Sequence, residues 1–135
     1  MTATTQTQPQ PFTAAQAIGR PSRGVTVALW VVTVATAGMF ILAGTSKLAG
    51  AAVMVQMFDR VGLGQWFRYL TGSIEVGSAI ALLVPSLALY AALALGATMI
   101  GAVLTHLFIV GGSPAPAVIL LIASSFIAWT RWSRR

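Results

Sequence analysis

The stretch Trp66–Val84, WFRYLTGSIEVGSAIALLV, decides the fold of this chain. It is long and apolar enough to cross a bilayer, for which a helix needs about 20 residues, yet it carries Glu75 near its middle. A carboxylate at membrane depth costs about 3 kcal/mol on insertion scales, so such groups face a bundle interior rather than lipid. We therefore expect other segments to fold around Glu75 and to bring a polar partner to it.

The composition indicates a membrane protein. The chain has 135 residues, of which 57% are hydrophobic and only 7% are charged, whereas a soluble domain has about 25% charged residues. Such a chain cannot cover a globule with polar side chains, so lipid is expected to be part of its solvent. The length suits one domain with room for several spans and short loops.

The apolar runs predict the architecture. Residues 51–61 have apolar side chains on one side of a helix and polar ones on the other, and they are too short to span, which predicts an interfacial helix between spans 1 and 2. The predicted fold class is therefore all-α, an integral membrane four-helix bundle in a domain of residues 25–135. Residues 1–24 are rich in Thr, Gln, Pro and Ala, which predicts a disordered tail. The four predicted spans are residues 25–48, 66–84, 87–110 and 117–130.

The basic residues predict the orientation. The net charge is +6, and five of the eight basic residues lie just outside the first and last apolar runs. The positive-inside rule then predicts a multi-pass protein of the cell membrane with both termini, and hence the tail, in the cytoplasm. The bilayer is the expected partner; nucleic acid is not, because no soluble binding motif accompanies the basic residues. The five basic residues beside the first and last apolar runs are Arg20, Arg23, Arg131, Arg134 and Arg135.

Helical spacing gathers small and polar residues on one stripe of each of the first two spans. Small residues permit close helix contact in lipid, so the glycines at positions 44, 72, 77, 96 and 101 are interpreted as helix-packing residues. The first stripe contains Thr33, Thr36, Phe40, Ala43, Gly44 and Lys47, and the second contains Arg68, Thr71, Gly72, Glu75, Ser78 and Ala79.

Four ionisable groups form the candidate site, because the predicted topology places all of them in the outer half of the bundle. Glu75 and His106 are predicted to be catalytic and to exchange protons. Lys47 and Arg68 are predicted to bind an anionic substrate, and either one could instead form a purely structural pair with Glu75. Each of the three basic residues also has a structural alternative. Lys47 could extend its ammonium to the lipid headgroups, and Arg68 could anchor its helix at the membrane interface. His106 could be a hydrogen-bonded structural residue. No metal site is predicted.

The absence of cysteine narrows the chemistry. The chain has no cysteine and one histidine. Disulfide, thiol and iron–sulfur chemistry are therefore excluded from this chain, and so is a haem held by two histidines of the same chain.

Three motifs carry a resemblance to a known family. GTSKL at residues 44–48, GSIE at residues 72–75 and GAVLTHL at residues 101–107 occur in this order. Over residues 25–130 the chain resembles the DoxX-like family of small four-span membrane proteins. The resemblance implies a link to quinone-coupled oxidation, through membrane subunits of thiosulfate:quinone oxidoreductase, and to oxidative-stress complexes.

Three functions fit these observations. The first is a membrane subunit of a quinone-linked or oxidative-stress oxidoreductase, which binds a quinone or small polar molecule in a polar pocket and depends on a redox enzyme partner. The second is a structural or scaffolding subunit whose polar groups only fix helix packing. The third is a small proton-coupled transporter acting as a homo-oligomer. The residues alone do not identify a reaction or make the chain an enzyme.

Overall fold

The computed structural model describes residues 22–135, and within them it contains helices and no β-strand. An all-α fold is therefore confirmed. The predicted tail, residues 1–24, lies outside the described residues as far as position 21, and the prediction was wrong for Arg23 and Gly24, which belong to the first helix. The helices are α1 (Arg23–Leu48), α2 (Ala52–Val61), α3 (Gln65–Leu82), α4 (Ala88–Thr105) with a π-helical segment (His106–Val110) continuing it, and α5 (Ala115–Trp132).

Local sequence signals set the helix boundaries. The Ser22 hydroxyl accepts a hydrogen bond from the Val25 amide at 3.4 Å and begins α1. Gly62 ends α2 with a φ of 77°, a left-handed conformation that favours glycine. Pro116 lies in the first turn of α5, where a missing N–H costs nothing. The starts of α1 and α5 and the end of α2 thus lie at residues that favour a helix boundary.

Three helices in the described part of the chain are long and apolar enough to cross a membrane. They are α1, α4 together with the π-helical segment, and α5. The 18 residues of α3 extend about 27 Å at a rise of about 1.5 Å per residue. However, α3 is not among the three, since Arg68 and Glu75 lower its hydropathy.

The bundle has two chemically different ends. At one of them, the Arg131 guanidinium lies 5.9 Å from the centroid of the Trp30 ring, and Arg135 Nη1 donates to Tyr90 Oη at 3.4 Å. The start of α1, the start of α4 and the end of α5 therefore lie together, and we call this the arginine end. The other end, formed by the end of α1, α2, the start of α3 and the π-helical segment, is called the α2 end.

The interior contains the faces that the sequence predicted. α1 packs mainly against α3, α4 against α5, and α3 against α4. On α1 the residues Thr33, Thr36, Phe40 and Gly44 are buried, in agreement with the predicted stripe. On α3 the buried residues are Arg68, Gly72, Glu75, Ala79 and Leu82, which again follow the predicted polar and small face.

Two glycines let α1 and α3 approach closely. A Cβ at Gly44 would lie 2.7 Å from Val76 Cγ2 and 2.9 Å from the Gly72 carbonyl oxygen, and a Cβ at Gly72 would lie 3.0 Å from the Gly44 carbonyl oxygen. The packing interpretation of Gly77 and Gly101 was wrong for this chain, because a Cβ at either would meet nothing within 4 Å. Only the first pair therefore sets the distance between the two helices.

We expect Gly44→Ala to lower the free energy of unfolding by about 1–3 kcal/mol, because the added methyl group overpacks the α1–α3 contact. Gly77→Ala is the matched control and should be neutral or stabilise by about 0.5–1 kcal/mol, since alanine favours the helix and meets open space. Thermal unfolding in mild detergent measures both. Equal effects of the two substitutions would contradict the close approach.

Candidate functional site

A buried ion pair joins α1 to α3. Lys47 Nζ donates to Glu75 Oε2 at 2.7 Å. The Glu75 side chain is 2% exposed and that of Lys47 is 14% exposed. Of the two partners that the sequence left open for Glu75, the structure therefore selects Lys47. The pair lies next to the Gly44–Gly72 contact, since a Cβ at Gly72 would be 3.1 Å from Lys47 Cβ.

Arg68 is buried but binds the end of α1 rather than Glu75. Its Nη1 donates to the carbonyl oxygen of Lys47, one of the carbonyls that a helix end leaves without an intrahelical partner. Its Nε donates to Gln65 Oε1 at 2.6 Å, and its guanidinium carbon lies 4.3 Å from the Tyr69 ring centroid. Arg68 thus fixes the carboxyl end of α1 against the first turn of α3.

Two residues that the sequence analysis did not include complete this network. Gln65 Nε2 donates to Asp59 Oδ1 at 2.6 Å and to the Val55 carbonyl oxygen at 3.1 Å, so Gln65 ties α2 to α3. The signal that could have found Gln65 is its spacing of three residues before Arg68 on the same helix. A continuous chain of polar contacts therefore runs from Asp59 through Gln65, Arg68 and Lys47 to Glu75.

His106 lies at the same end of the bundle but has a different partner. Its Nδ1 is 3.0 Å from the Gly111 carbonyl oxygen, and the Gly111 amide donates to the His106 carbonyl oxygen. Because a carbonyl only accepts, Nδ1 carries the proton of the neutral ring and Nε2 is left to accept one. Within residues 22–135 no hydrogen bond joins His106 to the Lys47–Glu75 pair.

The ion pair keeps unused hydrogen-bonding capacity. Glu75 Oε1 has no hydrogen-bond partner within residues 22–135, yet it is not fully enclosed. The Lys47 ammonium has three donors and uses one of them on Glu75. The arrangement can therefore accept a further oxygen-bearing group through the unused Lys47 donors.

Two surface depressions lie elsewhere. One follows α1 from Thr26 to Ala35, and the other lies between α1 and α5 at the arginine end. Neither is lined by Lys47, Arg68, Glu75 or His106. Within residues 22–135 there is also no group of three or more His, Cys, Asp or Glu side chains that could hold a metal ion.

The all-helical fold of residues 22–135, with bilayer-length apolar helices and a buried acid–base pair, defines a small helical membrane protein. A family model described as the DoxX-like family matches residues 31–129. The chain belongs to this family, so the resemblance carried by the three motifs is confirmed. No curated protein and no solved structure matches the chain significantly.

We expect Lys47→Met and Glu75→Gln each to lower the free energy of unfolding by about 3–5 kcal/mol, because each leaves its buried partner without compensation. The double variant Lys47→Met/Glu75→Leu should recover most of this loss, since an apolar pair of similar volume needs no ionic partner. Chemical or thermal unfolding in mild detergent measures the free energy of unfolding of the two single variants and the double variant, which together form a double-mutant cycle.

The matched control for this cycle is Asp59→Asn, which removes the other carboxylate at the α2 end. Asp59 is exposed and asparagine keeps its acceptor oxygen, so the change should stay within about 1 kcal/mol. A double variant less stable than the worse single variant would contradict a coupled pair.

Proposed function

We propose that the protein is a four-span membrane subunit that works with a quinone-linked oxidoreductase and binds a quinone or similar small polar head beside the Lys47–Glu75 pair. The observation that carries the proposal is the unused hydrogen-bonding capacity of this buried pair. Family membership supports a membrane subunit, and the unused donors of the Lys47 ammonium suit an electron-rich oxygen.

The proposed chemistry divides electrons and protons between two proteins. Reduction of a quinone to a quinol takes two electrons and two protons, and the partner enzyme would supply the electrons. In this chain Glu75 and the free Nε2 of His106 would pass protons, while Lys47 would donate to a quinone oxygen. Arg68 would act by positioning, since its donors hold Gln65 and the end of α1.

We expect binding of a short-chain quinone in nanodiscs to weaken by roughly tenfold or more in Lys47→Met and Glu75→Gln. A hydrogen bond to a charged group contributes about 1.5–3 kcal/mol, and about 1.4 kcal/mol corresponds to tenfold in affinity. Asp59→Asn should bind as the unmodified chain does. Absence of quinone binding by the unmodified chain would contradict the proposal.

A scaffolding subunit is the second candidate, and the closed packing around the pair favours it. Gly44 and Gly72 bring the α1 and α3 backbones together, and the Arg68 network ties α1, α2 and α3 to one another. A scaffold would lose stability in Glu75→Gln while the activity of its reassembled partner enzyme stayed unchanged. The quinone-binding role instead requires that activity to fall.

The proposed topology is four spans with α2 at the interface and both termini in the cytoplasm. α3 starts beside the end of α1 and its end is joined through residues 83–87 to α4, which starts at the arginine end. Because α1 begins at the arginine end as well, an α1 that crosses the membrane requires an α3 that crosses back. The amphipathic α2, with Phe58 buried and Asp59 exposed, suits the outer surface.

Single-cysteine labelling tests this topology directly, because the chain contains no native cysteine. We expect Ser113→Cys to react with a membrane-impermeant maleimide on intact cells. Ser22→Cys, Ser86→Cys and Ser133→Cys should react only after permeabilisation. Labelling of positions 22 and 133 from opposite sides would show that α3 does not span.

A further inference from the structure

The charges of the chain are divided unequally between the two ends of the bundle. Its only two side-chain carboxylates, Asp59 and Glu75, both lie at the α2 end, where Gln65 and Lys47 bind them. The arginine end contains several guanidinium groups and no side-chain carboxylate of its own. Within residues 22–135 no Asp or Glu side chain therefore balances these guanidinium groups. The guanidinium groups at the arginine end belong to Arg23, Arg131, Arg134 and Arg135.

A shallow cleft at the arginine end lies between the start of α1 and the end of α5. Arg131 is half-buried there, and its guanidinium lies 5.9 Å from the Trp30 ring centroid, an attractive cation–π distance. This contact holds one charged group at a defined position. The cleft is lined by Thr26, Leu29, Trp30, Thr130, Arg131 and Arg134.

An apolar groove continues from this cleft along the outside of α1. It is broad and open rather than enclosed, and it shares Thr26 and Trp30 with the cleft. The rest of its lining is Val27, Val31, Val34 and Ala35, which offers almost no polar surface. A basic cleft that opens directly into an apolar groove matches the two halves of a phospholipid, a phosphate and an acyl chain.

We propose that the cleft and groove together bind one anionic phospholipid, with its phosphate at Arg131 and Arg134 and an acyl chain along Val27, Val31 and Val34. Guanidinium groups are suited to phosphate because their planar donors match its oxygens in pairs. The groove distinguishes a lipid from free phosphate, which would have no use for an apolar surface beside its site. This site is separate from the Lys47–Glu75 pair and does not depend on the proposed quinone chemistry.

Native mass spectrometry of the full chain with mixed phosphatidylglycerol and phosphatidylcholine tests the proposal. We expect one phosphatidylglycerol to remain bound in preference to phosphatidylcholine. At about 1 kcal/mol for each basic residue near anionic lipid, Arg131→Gln or Arg134→Gln should reduce the preference roughly fivefold and the double variant about 30-fold. Arg60→Gln is the matched control, since it removes one exposed charge at the α2 end, and should leave the preference unchanged.

Two further measurements separate the possible outcomes. Inorganic phosphate at millimolar concentration should neither displace the lipid nor raise the unfolding temperature, whereas phosphatidylglycerol should raise it in the unmodified chain and not in the double variant. Displacement by phosphate alone would replace the lipid site with a free-anion site. An equal loss of preference in Arg60→Gln would show general surface attraction, and either result would overturn the proposal.

Discussion

The buried contact between Lys47 and Glu75 is the constraint on which the rest of the structure depends. A carboxylate that is 2% exposed has lost nearly all of its water, and an ammonium at 2.7 Å replaces part of what was lost. The lysine can reach this position only because α1 and α3 approach closely at Gly44 and Gly72. Arg68 then binds the carbonyl end of the same helix, so three separate features of the sequence converge on one helix–helix contact.

Much of this arrangement could be predicted from the sequence, because the chain contains so few charged groups. An acid inside an apolar run needs a partner, and the only basic side chains inside the predicted spans are Lys47, Arg68 and His106. The choice of Lys47 over Arg68 could not be predicted from spacing, since both side chains are long enough. In the structure Arg68 donates to the Lys47 carbonyl oxygen and to Gln65, while the Lys47 ammonium donates to Glu75.

Other details depend on backbone geometry that periodicity does not encode. The last turn of α4 widens into a π-helical segment, and His106 Nδ1 lies 3.0 Å from the Gly111 carbonyl oxygen at the end of that segment. Gln65 can bind Asp59 and the Val55 carbonyl oxygen because the loop after α2 returns the chain so that α3 starts beside α2. Glycine composition alone likewise could not distinguish Gly44, which a neighbouring backbone faces, from Gly77, which faces open space. Such differences arise from three-dimensional neighbours rather than from residue type.

The low hydropathy of α3 affects how such a bundle can be assembled. Of the four long helices, α3 is the one whose composition would not by itself carry it into a bilayer, and it is also the one that holds the carboxylate. α1 precedes it in synthesis and carries the ammonium. When the two helices pack together, the Lys47–Glu75 contact encloses the carboxylate, of which only 2% stays exposed. The proposed span α3 therefore depends on α1, which is apolar enough to cross a membrane by itself and supplies the ammonium for Glu75.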